Sequence, residues 1–140
     1  RGEDDPASAA AAYERELRSH FGLGDGEFPR FDLVMLGLGD NRHTASLFPG
    51  DSAIHETQRM VVPVDVDAEP RKRLTLTPPV INNAQHVMFL VAGQGKAAAV
   101  KDILEGPRDC DKFPAQIVAP ENGEVMWLLD KAAASLLASR

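Results

Sequence analysis

Short, uninterrupted apolar runs alternate along this chain with stretches whose apolar residues recur at helical spacing. The run Leu33-Val-Met-Leu36 has no polar position to mark a solvent face, as expected of a strand covered on both sides in a parallel sheet. His86 to Ala92 and Val125 to Leu129 are further runs of the same kind. Between them, positions 96–105 repeat with the period of a helix, with Ala98, Val100, Ile103 and Leu104 as packing residues and Gly106-Pro107 as the terminator. Near the start, Ser8 is placed to cap a helix that runs to about His20 with Tyr13 and Leu17 on one face, and Gly22, Gly24 and Gly26 end it. The first strand is expected over 31–36, then a short helix at His43 stopped by Pro49 and Gly50, and a helical turn at 52–55. Strands follow at 59–64 and 73–77 around an acidic loop at 65–70. Pro78-Pro79 opens a helix through Ala84, a loop runs to about Phe113, and a helix closes the chain over 131–138. Strands alternating with helices imply an α/β fold: a mostly parallel, Rossmann-like sheet with helices on both faces.

Composition narrows the field. A chain of 140 residues with 44% apolar content suits a single domain over 1–140 with its own core. Its formal net charge of −6 argues against nucleic acid or an anionic membrane as the main partner. A phosphorylated ligand would therefore need a local cationic pocket. Arg71, Lys72 and Arg73 form the one compact basic cluster, and Arg42 stands alone beside His43. Cys110 is the single cysteine, so an intrachain disulfide and a zinc site built on several thiolates are both excluded. A reducing, cytoplasmic setting is expected, since no apolar run approaches membrane-spanning length. The oligomeric state is not legible.

The candidate chemistry gathers where the first strand ends. Gly37 and Gly39 allow a tight turn there, and open α/β sheets bind ligands at the carboxyl ends of their strands. His43 follows the turn, with an imidazole able to take a proton from water near neutrality and return it to a leaving group. The backbone N–H groups of Thr44, Ala45 and Ser46, at a helix start, would favour an anion or a developing oxyanion. Ser46 lacks the Gly-x-Ser-x-Gly elbow of a serine nucleophile and reads as a capping or packing residue. Gly93-Gln-Gly-Lys96 has the wrong spacing for a phosphate-binding P-loop and reads as the start of the next helix, so no nucleotide, other cofactor or metal is implied. Asn82 and Asn83 could reach the site or cap their helix. His20, His55 and His86 read as surface or packing residues, and Trp127 as core.

The stretch from Phe31 through Gly37-Leu-Gly-Asp-Asn-Arg-His-Thr-Ala-Ser-Leu-Phe-Pro-Gly50 closely resembles the signature of the 6-phosphogluconolactonases. In that signature a Gly-x-Gly turn leads through an acidic residue and a glycine into His-Thr-Ala-Ser-Leu-Phe-Pro-Gly. The segments Arg73-Leu-Thr-Leu-Thr-Pro-Pro-Val-Ile-Asn-Asn-Ala84, His86-Val-Met-Phe-Leu-Val-Ala-Gly93 and Asn122-Gly-Glu-Val-Met-Trp-Leu-Leu-Asp130 are similar to later family blocks in the same order. The resemblance implies the C-terminal portion of the sugar-phosphate isomerase/lactonase fold and cofactor-free hydrolysis of 6-phospho-D-glucono-1,5-lactone. The acidic stretch at 2–6, with no initiating methionine, fits a chain whose earlier phosphate-binding half lies elsewhere. By resemblance His43 and Asn41 are the catalytic positions. Gly37, Gly39, Arg42, Thr44, Ala45 and Arg73 would contact substrate, with Arg73 on its phosphate. Asn41 stands where the family has an acidic residue, and Arg42 where it has a glycine. Arg42 could serve as an extra phosphate ligand or could disturb a turn that needs a positive φ. Two other readings stay open: a glucosamine-6-phosphate deaminase, which continues differently after the histidine, and a non-catalytic sugar-phosphate-binding homologue.

Overall fold

The computed structural model describes residues 4–67 and 71–138. The first helix, α1, spans Pro6–Phe21 and is capped by Asp5 rather than by Ser8, because the Asp5 carboxylate accepts from both the backbone N–H and the hydroxyl of Ser8. Pro6 takes the first helical position, where its fixed φ fits and its missing N–H costs nothing. Gly22, left-handed at φ 63°, closes the helix.

Leu17 is buried as expected, but Tyr13 is 40% exposed. The inward position on that turn belongs to Glu14. Its carboxylate accepts from the backbone N–H groups of Met60 and Val61 and from Arg59 Nε, which pins α1 to the strand that begins at Val61. Burial alone would raise the Glu14 carboxyl, but the Val61, Met60 and Arg59 donors outweigh it and hold the group below its usual value. A lowered carboxylate pKa contributes stability above the unfolded value, and that stability is lost as pH falls through the folded one. Glu14→Ala should therefore cost about 2–3 kcal/mol in urea unfolding at neutral pH, with the gap to wild type closing in acid.

Two sheets follow. Strands β1 (Leu33–Leu36), β4 (His86–Val91) and β5 (Glu124–Leu129) form a parallel sheet in the order β1-β4-β5. Strands β2 (Val61–Asp65) and β3 (Lys72–Leu76) pair antiparallel as a separate ribbon. The connection over 66–71 is too short for the crossover that parallel strands require, so a hairpin is the available solution. Part of the acidic loop read at 65–70 lies outside the described residues.

Val34, Leu36, Val87, Phe89 and Val91 face a core completed by Ala99, Val100 and Ile103 of α3 (Ala97–Glu105). Trp127 stacks on Phe89 at 3.9 Å between ring centroids. The inward stripe of α3 includes Ala97 and Ala99 where Ala98 and Leu104 were expected, and Leu104 is exposed. On the opposite face of the sheet Leu33 is 46% and Met35 60% exposed, and Leu90, Met126 and Leu128 are exposed as well. Within the described residues, then, the apolar β1 run is covered on one side only.

Helix α2 (Pro78–Ile81) stops short of Ala84. Asn82 donates to Ile117 O and accepts from the Ala119 N–H, while Asn83 donates to the Phe28 and Pro29 carbonyls, so both stitch loops together. Short 3-10 turns occur at Ser52–His55, Gln94–Lys96 and Pro114–Ile117. The closing helix is not formed: 131–138 is a series of turns, started by Asp130, whose carboxylate accepts from the Gly93 and Ala133 N–H groups. No described helix is long and apolar enough to cross a membrane.

Candidate active site

β1 delivers the chain at Leu36 to a turn built on Gly39. The Arg42 N–H donates to Gly39 O at 2.9 Å, and the Gly39 N–H donates to His43 O at 2.9 Å. This is a tight turn followed by a single bulged residue, the position where hairpin loops of this kind place a left-handed residue, usually glycine. Here it is Arg42, at φ 70°.

No helix follows His43. The expected one would have had only a few residues before Pro49, which disfavours helix at the position ahead of it, and so short a segment does not nucleate. Instead Thr44–Leu47 forms a second turn, with the Leu47 N–H on Thr44 O at 2.9 Å and Ala45 at φ 50°. The row of N–H donors at a helix start is therefore corrected: the Ser46 N–H donates to Thr75 Oγ1, and Thr44 and Ala45 lie on a turn. The Thr44 hydroxyl donates to Gly37 O at 2.8 Å and ties the second turn back to the end of β1.

The His43 ring lies over Gly39, and a Cβ there would collide with Nδ1 and Cε1 of the imidazole. On another side the ring stacks on Phe48, at 4.4 Å and 23°. Asn41 Oδ1 meets both His43 Nδ1 and the His43 backbone N–H. A backbone N–H can only donate, so the Asn41 atom facing it is the oxygen, and Nδ1 must carry the ring proton. Nε2 is left with its lone pair, which is the form a general base needs. Burial, then the positive charges of Arg73 and Lys96, lower the His43 pKa against an opposing pull from Asp40.

Arg73 lies on β3 opposite Val64, with its guanidinium carbon 5.5 Å from the centroid of the Phe48 ring. Arg42 is placed differently from the phosphate ligand considered above. Its Nε and Nη2 both donate to Asp102 Oδ2 on α3, and its Nη1 donates to Asp40 O. A cleft of about 550 Å³ opens beside Asn41 and Phe48 and is lined as well by Asp51, Asp65 and Asp67. Those carboxylates would repel an anion.

Lys96 is the residue that sequence reasoning missed. Its Nζ reaches Asp40 Oδ1 at 2.6 Å and it acts on His43. The signal was present: Lys96 follows the carboxyl end of β4, the immediate neighbour of β1, where ligands of such sheets collect. Among the described residues no group of three or more His, Cys, Asp or Glu side chains is gathered where it could hold a metal ion. Elsewhere, His55 pairs with Asp111 and His86 with Glu124 at exposed positions, and His20 packs edge-on against Phe21.

An uncharged imidazole after β1 and a lysine after β4, at the carboxyl ends of adjacent parallel strands, with an arginine brought to them by the β2–β3 ribbon, are the arrangement by which α/β folds take small anionic ligands. Comparison narrows the class. Residues 1–127 match the family described as glucosamine-6-phosphate isomerases/6-phosphogluconolactonase, and the chain belongs to that family. It is 45% identical over 129 residues to a 6-phosphogluconolactonase of Synechocystis, covering 92% of this chain and 52% of that one. The solved 6-phosphogluconolactonase of Trypanosoma brucei is 35% identical with a TM-score of 0.82, covering 99% of this chain and 56% of that one. A monomeric glucosamine-6-phosphate deaminase is 29% identical with a TM-score of 0.70, covering 95% of this chain and 56% of its own. The chain thus spans about half the length of the relatives it matches.

Proposed function

We propose that the protein carrying this chain hydrolyses 6-phospho-D-glucono-1,5-lactone to 6-phosphogluconate in the cytoplasm. His43 Nε2 takes a proton from water as the water oxygen attacks the lactone carbonyl. The resulting imidazolium returns the proton to the ring oxygen when the carbon–oxygen bond breaks. Arg73 and Lys96 receive the phosphate, the first through paired hydrogen bonds and the second as a point charge. Gly37, Thr44 and Ala45 line the approach to the carbonyl.

The observation that carries the reading is the Asn41 contact, which sets the tautomer of a half-buried imidazole beside two cations. The substrate class follows from the likeness to 6-phosphogluconolactonases. Thr-Ala-Ser-Leu-Phe-Pro after His43 separates the lactonase reading from the deaminase one. The test is a direct assay of the full chain with the lactone, glucosamine 6-phosphate and 6-phosphogluconate. Lactone hydrolysis above the spontaneous rate supports the proposal. Ammonia release from glucosamine 6-phosphate would replace it with the deaminase, and binding of 6-phosphogluconate without turnover would replace it with the non-catalytic homologue.

Asn41 sets the expected speed. It orients the ring as a carboxylate would, but it adds no charge to stabilise the imidazolium that forms during the reaction. Asn41→Asp should raise kcat by about 10- to 100-fold, the worth of turning a neutral hydrogen bond into a charge-assisted one. The added anion also raises the His43 pKa, so the acid limb of kcat/KM should move to higher pH. An unchanged rate and limb would show that the Asn41 contact does not operate during turnover.

A further inference from the structure

Arg42 occupies a backbone conformation that disfavours any side chain, yet its own side chain is among the most tightly held in the site. Its N–H donates to Gly39 O and its carbonyl accepts from the Ala115 N–H, so residue 42 cannot leave φ 70° without breaking the turn that carries His43. The guanidinium is bound on three of its donor nitrogens, Nε and Nη2 by Asp102 Oδ2 and Nη1 by Asp40 O. The partners lie 60 positions apart in sequence, and their side chains are only 29% and 37% exposed, which limits screening by salt. The neighbouring Asp40 carboxylate is held in turn by Lys96 at 2.6 Å. Two ion pairs of opposite sense therefore fasten the turn to α3 and to the residue that starts it: an anion on the turn to Lys96, and a cation on the turn to Asp102.

We propose that Asp102 is a positioning residue, which anchors the Arg42 guanidinium and so lets a side-chain-bearing residue hold the left-handed position on which the placement of the His43 ring depends. The inference rests on the lactonase reading for its kinetic test only. By neutralising Arg42, Asp102 also keeps that charge from adding to those of Arg73 and Lys96 at His43. The groups that do face His43 are Asp40 on its own turn, Arg73 from β3 and Lys96 at the start of α3, with Asp51, Asp65 and Asp67 along the adjoining cleft.

The experiment compares Asp102→Ala, Arg42→Gly and the double variant in the full chain, reading kcat, KM and the His43 titration by NMR. Asp102→Ala should lower kcat by about 10- to 100-fold through a displaced ring, with a smaller change in KM. Adding Arg42→Gly should restore most of the loss, because glycine takes the left-handed position unaided. The His43 pKa should fall in Asp102→Ala, where an anion is lost, rise in Arg42→Gly, where Asp102 is left unpaired, and return in the double variant. A double variant as slow as Asp102→Ala, or single variants that leave the His43 titration unmoved, would overturn the proposal. If the wild-type chain does not hydrolyse the lactone, the lactonase reading fails, and the pattern of His43 shifts still decides the role of Asp102.

Discussion

His43→Ala in the full chain should lower kcat for lactone hydrolysis by about 10²–10⁴-fold, the usual worth of a positioned general acid–base group, with little change in KM. The expectation follows from the lone pair at Nε2. Asn41 Oδ1 accepts a hydrogen bond from the Nδ1–H, Phe48 and Gly39 hold the ring plane, and burial with Arg73 and Lys96 keeps the imidazole uncharged. With the phosphate roles proposed for Arg73 and Lys96 intact in the variant, the loss should fall on kcat rather than KM. The pH profile offers a second check. A base acts only when deprotonated, and the His43 pKa is lowered, so the wild-type acid limb should lie below about 6.5, the ordinary histidine value. A limb above that value would mean that an anion rather than Arg73 and Lys96 dominates the ring's surroundings. Undiminished turnover by His43→Ala would remove the imidazole from the mechanism.

What could be read from the sequence followed the strength of local patterns. The apolar runs at 33–36, 86–92 and 125–129 read as strands of a parallel sheet, and they form one, with β4 in the middle. The helical turn expected at 52–55 forms at Ser52–His55, where the Asp51 carboxylate accepts the Ala53 N–H. The left-handed position at residue 42 was legible through the glycine that the family has there, and it stands at φ 70°. Errors arose where a side chain far along the chain decides the outcome. Glu14 would pass for a solvated helix residue until Met60 and Val61 present their N–H groups to it. The short helix expected at His43 and stopped by Pro49 has too few residues to nucleate, and a turn at Thr44–Leu47 takes its place. Coverage of β1 on both faces was read from its own composition, whereas covering it depends on what other segments supply.

The candidate site divides in the same way. Gly37, Gly39, Asn41, His43 and Thr44 share one short stretch, and their proximity follows from sequence order alone. Arg73 joins them through β3 and Phe48, and Lys96 through β4, because strand order brings distant strand ends together. Asp102 had no signal at all. Its part depends on a substitution at position 42 and on the packing of α3 beside the turn, neither of which a local pattern records.

Gly39→Ala should be nearly as damaging as loss of the imidazole itself, although alanine adds only one methyl group. The added Cβ would occupy the space of His43 Nδ1 and Cε1 and come within 2.9 Å of Asn41 Oδ1. Gly39 is also bonded at both ends of the turn, its N–H to His43 O and its carbonyl to the Arg42 N–H, so the backbone cannot retreat without opening the loop. The ring is the part that can move. Once rotated away it loses the Phe48 stack and the Asn41 contact, and with them both orientation and tautomer. A displacement on the order of 1 Å is enough to cost about 100-fold in rate, and overpacking should cost about 1–3 kcal/mol of stability. A ring moved into water also loses the burial that lowers its proton affinity, so the His43 titration should rise towards the ordinary value. Gly37→Ala provides the contrast, since a Cβ there meets nothing within 4 Å and should leave the His43 titration in place. If Gly39→Ala kept both the wild-type rate and the wild-type titration, the imidazole could not be acting from the position it holds over Gly39.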